Sequence, residues 1–288
     1  MHIMVNGARL FVDIEGAGLV ADGPVMRQKP TLILLHGGPG ADHSLFKPGW
    51  GALSDIAQII YVDHRGNGRS DDGDPADWTL AQWGDDIRGL CDVLGVERPI
   101  VCGVSFGGFV AQSYATRHPD HIGGLILIST AAQFVFEELF AAFHRLGGSV
   151  AREAAEGYWN NPTSESRARY HQVCFPLYQT SGPFDADTIA RLVMKDPVAL
   201  HFNGPRNEQG RMDFRAALRQ VRCPTLVLSG DADPVTPPVF SEVIRDSMPP
   251  DVARLIRYPD TGHGVIGDTP DAAFRDIRHF ITAGAAPS

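Results

Sequence analysis

Five short apolar runs, spaced along most of the chain, limit what it can fold into more than any other feature. They are Thr31–Leu35, Gln58–Val62, Pro99–Val104, Gly124–Ser129 and Pro224–Ser229, with Val252–Tyr258 as a weaker sixth. A strand that stays apolar without alternation has both faces covered, which is the situation of a central strand in a parallel sheet. Helical patterns fall between the runs, at Thr79–Leu94, Phe106–His118 and Asp271–Ala283. Strands alternating with helices predict an α/β fold built on a mostly parallel, doubly wound sheet.

Ahead of the first run, Ile3–Val5 and Arg9–Ile14 flank Asn6-Gly7 and read as a hairpin. Residues 16–30, rich in Gly, Pro and polar side chains, read as a loop. The strand pattern breaks between Gln133 and Met212, where only helix-like pieces occur: Glu137–Arg145, Ser164–Val173 and Asp185–Met194. Sheet strands lie on both sides of this segment. The expected division is therefore a core of residues 1–132 and 213–288, with residues 133–212 as an inserted helical cap over the strand ends.

Composition narrows the function classes. A chain of 288 residues has room for one such domain with an insertion. The net charge of −9 and the lack of basic clusters argue against a nucleic-acid partner. No apolar run reaches membrane-spanning length, and Met1–Leu10 lacks the basic start and apolar core of an export signal. A cytoplasmic protein with no membrane partner is expected. The four cysteines form no C-x-x-C pair, so neither a disulfide framework nor a metal site is expected. Cys91, Cys102 and Cys223 sit in apolar segments and read as buried thiols.

Gly103-Val-Ser-Phe-Gly107 joins the third apolar run to the helix that ends before Pro119. Serine between glycines at i−2 and i+2, on a strand-to-helix turn, is the setting of a nucleophile elbow. Serine is a weak nucleophile alone. It needs a base, and the base needs a group that fixes its tautomer. On this kind of sheet the partners follow as acid and then histidine, each in a loop after a strand. His263, in Asp260-Thr-Gly-His-Gly264, fits the base. His118 and His121 flank Pro119 at a helix end and read as structural, and His36 as a residue holding its own loop. The acid falls in Gly230-Asp-Ala-Asp-Pro234, where Asp231 and Asp233 both qualify. An oxyanion needs two donors. The Phe106 N–H is one. The loop His36-Gly-Gly-Pro-Gly40 supplies the other, with Gly38 expected and Gly37 as the alternative.

Taken in order, His36-Gly-Gly-Pro-Gly40, Asp63-His-Arg-Gly-Asn-Gly-Arg-Ser70, the elbow, Asp233 and His263 resemble the α/β-hydrolase superfamily over nearly the whole chain. Within it, HGGPG with a D-x-R-G-x-G-x-S segment is similar to the proline iminopeptidase branch. The resemblance implies Ser105, Asp233 and His263 as a catalytic triad, with Asp231 bracing the turn and with no metal or other cofactor. It implies hydrolysis of a small amide or ester through an acyl-enzyme. Removal of the N-terminal residue of a short peptide comes first, carboxylesterase or lactonase action on a small molecule second, and non-catalytic binding of a small ligand last. Relatives that carry aspartate at the elbow run other chemistry, which Ser105 disfavours. The branch binds the substrate amine with acidic cap residues. Here the cap offers Glu137, Glu138, Glu153, Glu156 and Glu208, each of which also reads as ordinary helix-surface charge. The sequence departs from the branch at Phe106, where tryptophan is usual, and at His64, where glutamine is.

Overall fold

The computed structural model describes residues 1–284. Its strands, in chain order, are β1 (His2–Val5), β2 (Ala8–Glu15), β3 (Leu19–Asp22), β4 (Val25–Gln28), β5 (Thr31–Leu35), β6 (Gln58–Val62), β7 (Ile100–Val104), β8 (Gly124–Ile128), β9 (Thr225–Gly230) and β10 (Ala253–Tyr258). Eight of them form one sheet in the order β1-β2-β6-β5-β7-β8-β9-β10. The β1–β2 and β2–β6 pairs are antiparallel, and every pair from β6 to β10 is parallel. This is the mostly parallel α/β sheet that the apolar runs predict.

The register explains why those runs do not alternate. Leu32 and Leu34 of β5 pack on one side with Ile59, Tyr61, Cys102, Ile126 and Leu228. Ile33 and Leu35 pack on the other with Ile60, Val62, Val101, Leu125 and Val227. Successive side chains point to opposite faces, and both faces are covered by helices. On the first side lies α11 (Pro270–Gly284), burying Ala273, Ile277 and Ile281. On the second lie α1 (Leu80–Leu94) and α2 (Phe106–Arg117).

Residues 16–30 correct the sequence reading. They contain β3 and β4, an antiparallel hairpin turning at Gly23-Pro24. Its residues are exposed on both faces, apart from a half-buried Val20, so no core imposed the alternation that reveals a strand.

After β8 the chain leaves the sheet through α3 (Phe136–Asn160), α4 (Ser164–Val173), α5 (Ala186–Arg191), α6 (Asp196–Phe202), α7 (Glu208–Arg211) and α8 (Arg215–Leu218). The first helix runs well beyond the expected Glu137–Arg145, because Gly148 (φ +68°) only kinks it. An isolated antiparallel bridge joins Gln133 to Asp213 across the base of this excursion. The chain then forms α9 (Pro238–Ser247) and α10 (Val265–Asp268) before α11. Among the described residues no helix is long and apolar enough to cross a membrane. All four cysteines are buried and unbridged, and burial pushes their thiol pKa values up, that of Cys91 to about 12 and that of Cys223 to about 11.

Candidate active site

The Ser105 backbone sits at φ +54°, ψ −117°, a conformation that costs a non-glycine residue on the order of 1–3 kcal/mol. Three hydrogen bonds hold it there. Its N–H donates to Ile128 O at 2.9 Å, and its carbonyl accepts from Gly108 N and Thr130 Oγ1, both at 2.8 Å. The flanking glycines are dictated by contact. A Cβ on Gly107 would stand 2.0 Å from Leu35 O, and one on Gly103 would stand 2.2 Å from Gly107 O. All those neighbours are backbone and cannot turn aside. Gly107→Ala is therefore expected to destabilise the fold by about 3 kcal/mol or more, beyond ordinary overpacking. Urea unfolding measures it, and a wild-type midpoint would refute the contact argument.

His263 follows β10 and is largely buried. Its Nε2 accepts from Ser105 Oγ at 3.0 Å, and its Nδ1 faces Asp233 at 2.8 Å (Oδ2) and 3.0 Å (Oδ1). With Nδ1 donating to a carboxylate, the neutral ring keeps its Nε2 lone pair toward the serine. Asp233 is fully buried behind it. Its Oδ1 accepts from the backbone N–H groups of Val235 (2.7 Å) and Thr236 (2.9 Å), and its Oδ2 from Thr236 Oγ1 (2.8 Å). Burial alone would raise the Asp233 pKa. The charge and hydrogen bond of His263, with the Thr236 donors, outweigh it and hold the carboxyl below its usual value. Asp231 lies elsewhere. Its side chain pairs with Arg257 on the surface at 2.7 Å, and its N–H donates to Tyr258 O. The structure thus brings Ser105, Asp233 and His263 together and leaves Asp231 at the rim.

Sequence reasoning missed the groups that hold this arrangement. Thr236 is one. Tyr178 is another: its ring stands edge-on to His263, 5.1 Å between centroids, and its carbonyl accepts the Gly264 N–H at 3.1 Å. Asp268 accepts from Gly262 N at 2.7 Å and from Thr180 and Ser181, tying the histidine loop to the helical excursion. A carboxylate at the end of a four-residue helix gives no local signal of such a role.

The His36–Gly40 loop lies beside the elbow. Gly37 and Gly38 both border the cavity above Ser105. Among the described residues, the N–H groups of Gly37, Gly38 and Phe106 donate to no protein acceptor. His36 Nδ1 donates to Gly37 O at 3.0 Å, while Nε2 accepts the His64 N–H at 3.4 Å. Burial lowers the His36 pKa, so the ring stays neutral and fits both bonds. The Asp63–Ser70 segment braces the same loop. Asn67 Oδ1 accepts the Gly40 N–H at 2.6 Å, and Arg65 grips buried Asp86 through two bonds of 2.9 and 2.7 Å. Asp42, His43 and Asp63 form a compact buried group whose oxygens are already occupied by His43, Ser44 and Arg69, so they are spent on the loop.

Above Ser105 opens a cavity of about 660 Å³, walled mainly by aromatic and aliphatic side chains such as Trp50, Trp159, Phe175 and Phe184. None of the five cap glutamates lines it. Glu137 and Glu156 pair with Arg152, Glu208 accepts from Leu80 N and pairs with Arg211, and Glu153 borders a separate surface hollow.

The family model described as alpha/beta hydrolase fold matches residues 30–270. The chain belongs to this family, and it is a hydrolase. Within the family it is proline iminopeptidase-like. It is 30% identical over 286 residues to a proline iminopeptidase of Pestalotiopsis fici, covering 94% of this chain and 98% of that one. It is 28% identical over 289 residues to a cis-3-alkyl-4-alkyloxetan-2-one decarboxylase of Shewanella oneidensis, covering 96% and 86%. The proline iminopeptidase structure from Mycobacterium smegmatis shares the fold at a TM-score of 0.78 and 22% identity, over 99% of this chain and 98% of that one.

Proposed function

We propose that this protein is a serine hydrolase that cleaves a small acyl substrate through a covalent acyl-enzyme. The observation that carries the reading is the unbroken line from Asp233 through His263 to Ser105 Oγ, at 2.8 and 3.0 Å. Ser105 Oγ attacks the scissile carbonyl carbon while its proton passes to His263 Nε2. Asp233 accepts from Nδ1–H and stabilises the imidazolium. The negative oxygen of the tetrahedral intermediate takes the Phe106 N–H and a second donor from the glycine loop, Gly38 with Gly37 beside it; one such donor is worth ~10²–10³ in rate. Collapse breaks the bond to the leaving amine or alkoxide, which takes the proton from Nε2. Water then repeats the sequence on the acyl-enzyme and releases the acid.

Two substrate readings are supported by different observations. Likeness to the Pestalotiopsis fici proline iminopeptidase supports removal of an N-terminal residue from a short peptide. The cavity lining favours a carboxylester or lactone, since no cap glutamate reaches it and Asp185, the cap carboxylate on its wall, already caps α5 through Thr188. Prolyl arylamides and matched acyl esters should be assayed side by side on the same preparation. Amide cleavage that is lost on acetylating the substrate amine supports the peptidase reading. Ester turnover with no amide cleavage overturns it. Turnover of neither, with no serine labelling, overturns the hydrolytic mechanism itself.

A further inference from the structure

Arg167 is the odd residue in the cavity wall. It stands on α4, is buried to 8% exposure, and borders a space otherwise lined largely by aromatic and aliphatic groups. Among the described residues its guanidinium bonds to one carboxylate, from Nη1 to Asp196 Oδ1, and it also meets the Tyr158 hydroxyl. Asp196 sits toward solvent, its side chain 48% exposed, and does not border the cavity. A guanidinium carries five N–H donors in a planar fork, so these two contacts leave most of them unmatched. Burying a cation in that condition is costly unless a partner arrives.

The neighbours of Arg167 reinforce this reading. Tyr158 and Asn203, both buried, border the same cavity. Tyr158 Oη accepts from Asn203 Nδ2 at 2.6 Å, which leaves the phenolic O–H free to donate. Burial raises the pKa of that phenol, and the Asn203 hydrogen bond, the Arg167 charge and a hydrogen bond with Arg167 offset it only in part. The other charged or basic groups at the wall are accounted for. Lys47 is bonded to Asp13 and Glu15 at 3.0 and 2.7 Å. Asp185 is exposed and caps α5 through Thr188. Burial and the nearby Arg167 push the His171 pKa down to about 4, so that ring is neutral at pH 7. The buried side of the cavity therefore offers one cation, a hydroxyl donor and no anion.

Building on the acyl-enzyme reading, we propose that Arg167, with Tyr158, binds a carboxylate that the substrate carries away from its scissile bond. A planar fork meeting a carboxylate gives paired, charge-assisted hydrogen bonds, the strongest recognition this wall can offer. The substrates favoured are thus acidic esters, lactones or amides of small, largely apolar molecules.

The test compares neutral and acidic partners of equal size. Mono-p-nitrophenyl adipate against p-nitrophenyl hexanoate places the carboxylate on the acyl side. 4-Carboxyphenyl hexanoate against phenyl hexanoate places it on the leaving group. In at least one pair the acidic ester is expected to have a kcat/KM about 10- to 100-fold higher, carried mainly by KM. Arg167→Met should bring that ratio to about one or below. Asp196→Asn, which frees the fork of its competitor, should raise it severalfold. Folding is checked by Tm and by the rate of Ser105 labelling with a fluorophosphonate. No acidic preference in either pair overturns the proposal, as does an undiminished ratio in folded Arg167→Met. If that variant does not fold, an unchanged ratio in Asp196→Asn overturns it. Turnover of the neutral esters with Ser105 labelling would leave the acyl-enzyme reading standing in those cases, so the two failures are distinguishable.

Discussion

Ser105→Ala is expected to lower kcat by about 10⁴- to 10⁶-fold on any substrate the protein turns over. Three features of the elbow make the loss this large. Among the described residues the Ser105 hydroxyl is the one group hydrogen-bonded to His263 Nε2, so none of them can take over the attack. The backbone at φ +54° is held by bonds to Ile128, Gly108 and Thr130 that do not involve the side chain, so the variant keeps the turn. The N–H groups of Gly38 and Phe106 also remain, so the residual rate is what oxyanion binding alone sustains. Steady-state rates together with a wild-type Tm separate this result from simple unfolding. A variant retaining more than a tenth of the activity would contradict the proposed nucleophile.

Asp233→Asn should cost about 10⁴-fold in kcat, while Asp231→Asn should change it by less than about threefold. The contrast follows from what each carboxylate touches. Oδ1 of Asp233 is fixed by the N–H groups of Val235 and Thr236, so an amide oxygen would stay there and the amide nitrogen would face His263. A donor opposite Nδ1 forces the ring into the tautomer with hydrogen on Nε2, which cannot accept the serine proton. The variant also lacks the negative charge that stabilises the imidazolium. Asp231 makes its ion pair with Arg257 on the surface, where an exposed pair contributes about 0.2–1 kcal/mol of stability and nothing to the reacting atoms. Equal losses in both variants would contradict the assignment.

How much of this was legible in the sequence depended on whether a feature is local. The runs at β5, β6, β7, β8 and β9 were plain because burial on both faces keeps every charged residue out of a short stretch. The elbow glycines were plain because backbone approaches within about 2.2 Å of a would-be Cβ admit no other residue. The β3–β4 hairpin left no mark, since strands in solvent on both faces need no pattern. Asp231 and Asp233 looked alike in the chain, and only the packing of β10 beside β9 sends one toward His263 and the other to Arg257. The helical excursion was least legible. The carboxylate site proposed there depends on where Arg167 of α4, Tyr158 of α3 and Asn203 at the end of α6 meet, which is set by the packing of those helices rather than by any run of residues. The five glutamates showed the same limit from the other side. Their charge suggested amine recognition, yet their neighbours in space are arginines, a backbone N–H and solvent.

The central claim is that Ser105 is a nucleophile activated by His263 and Asp233, and trapping the serine tests it most directly. The protein is treated with a fluorophosphonate at neutral pH, digested and mapped by mass spectrometry. The expected result is one stoichiometric adduct on Ser105, formed in step with loss of activity, absent from Ser105→Ala and slowed by orders of magnitude in Asp233→Asn. An adduct on another residue, or full activity in protein whose Ser105 is labelled, would contradict it.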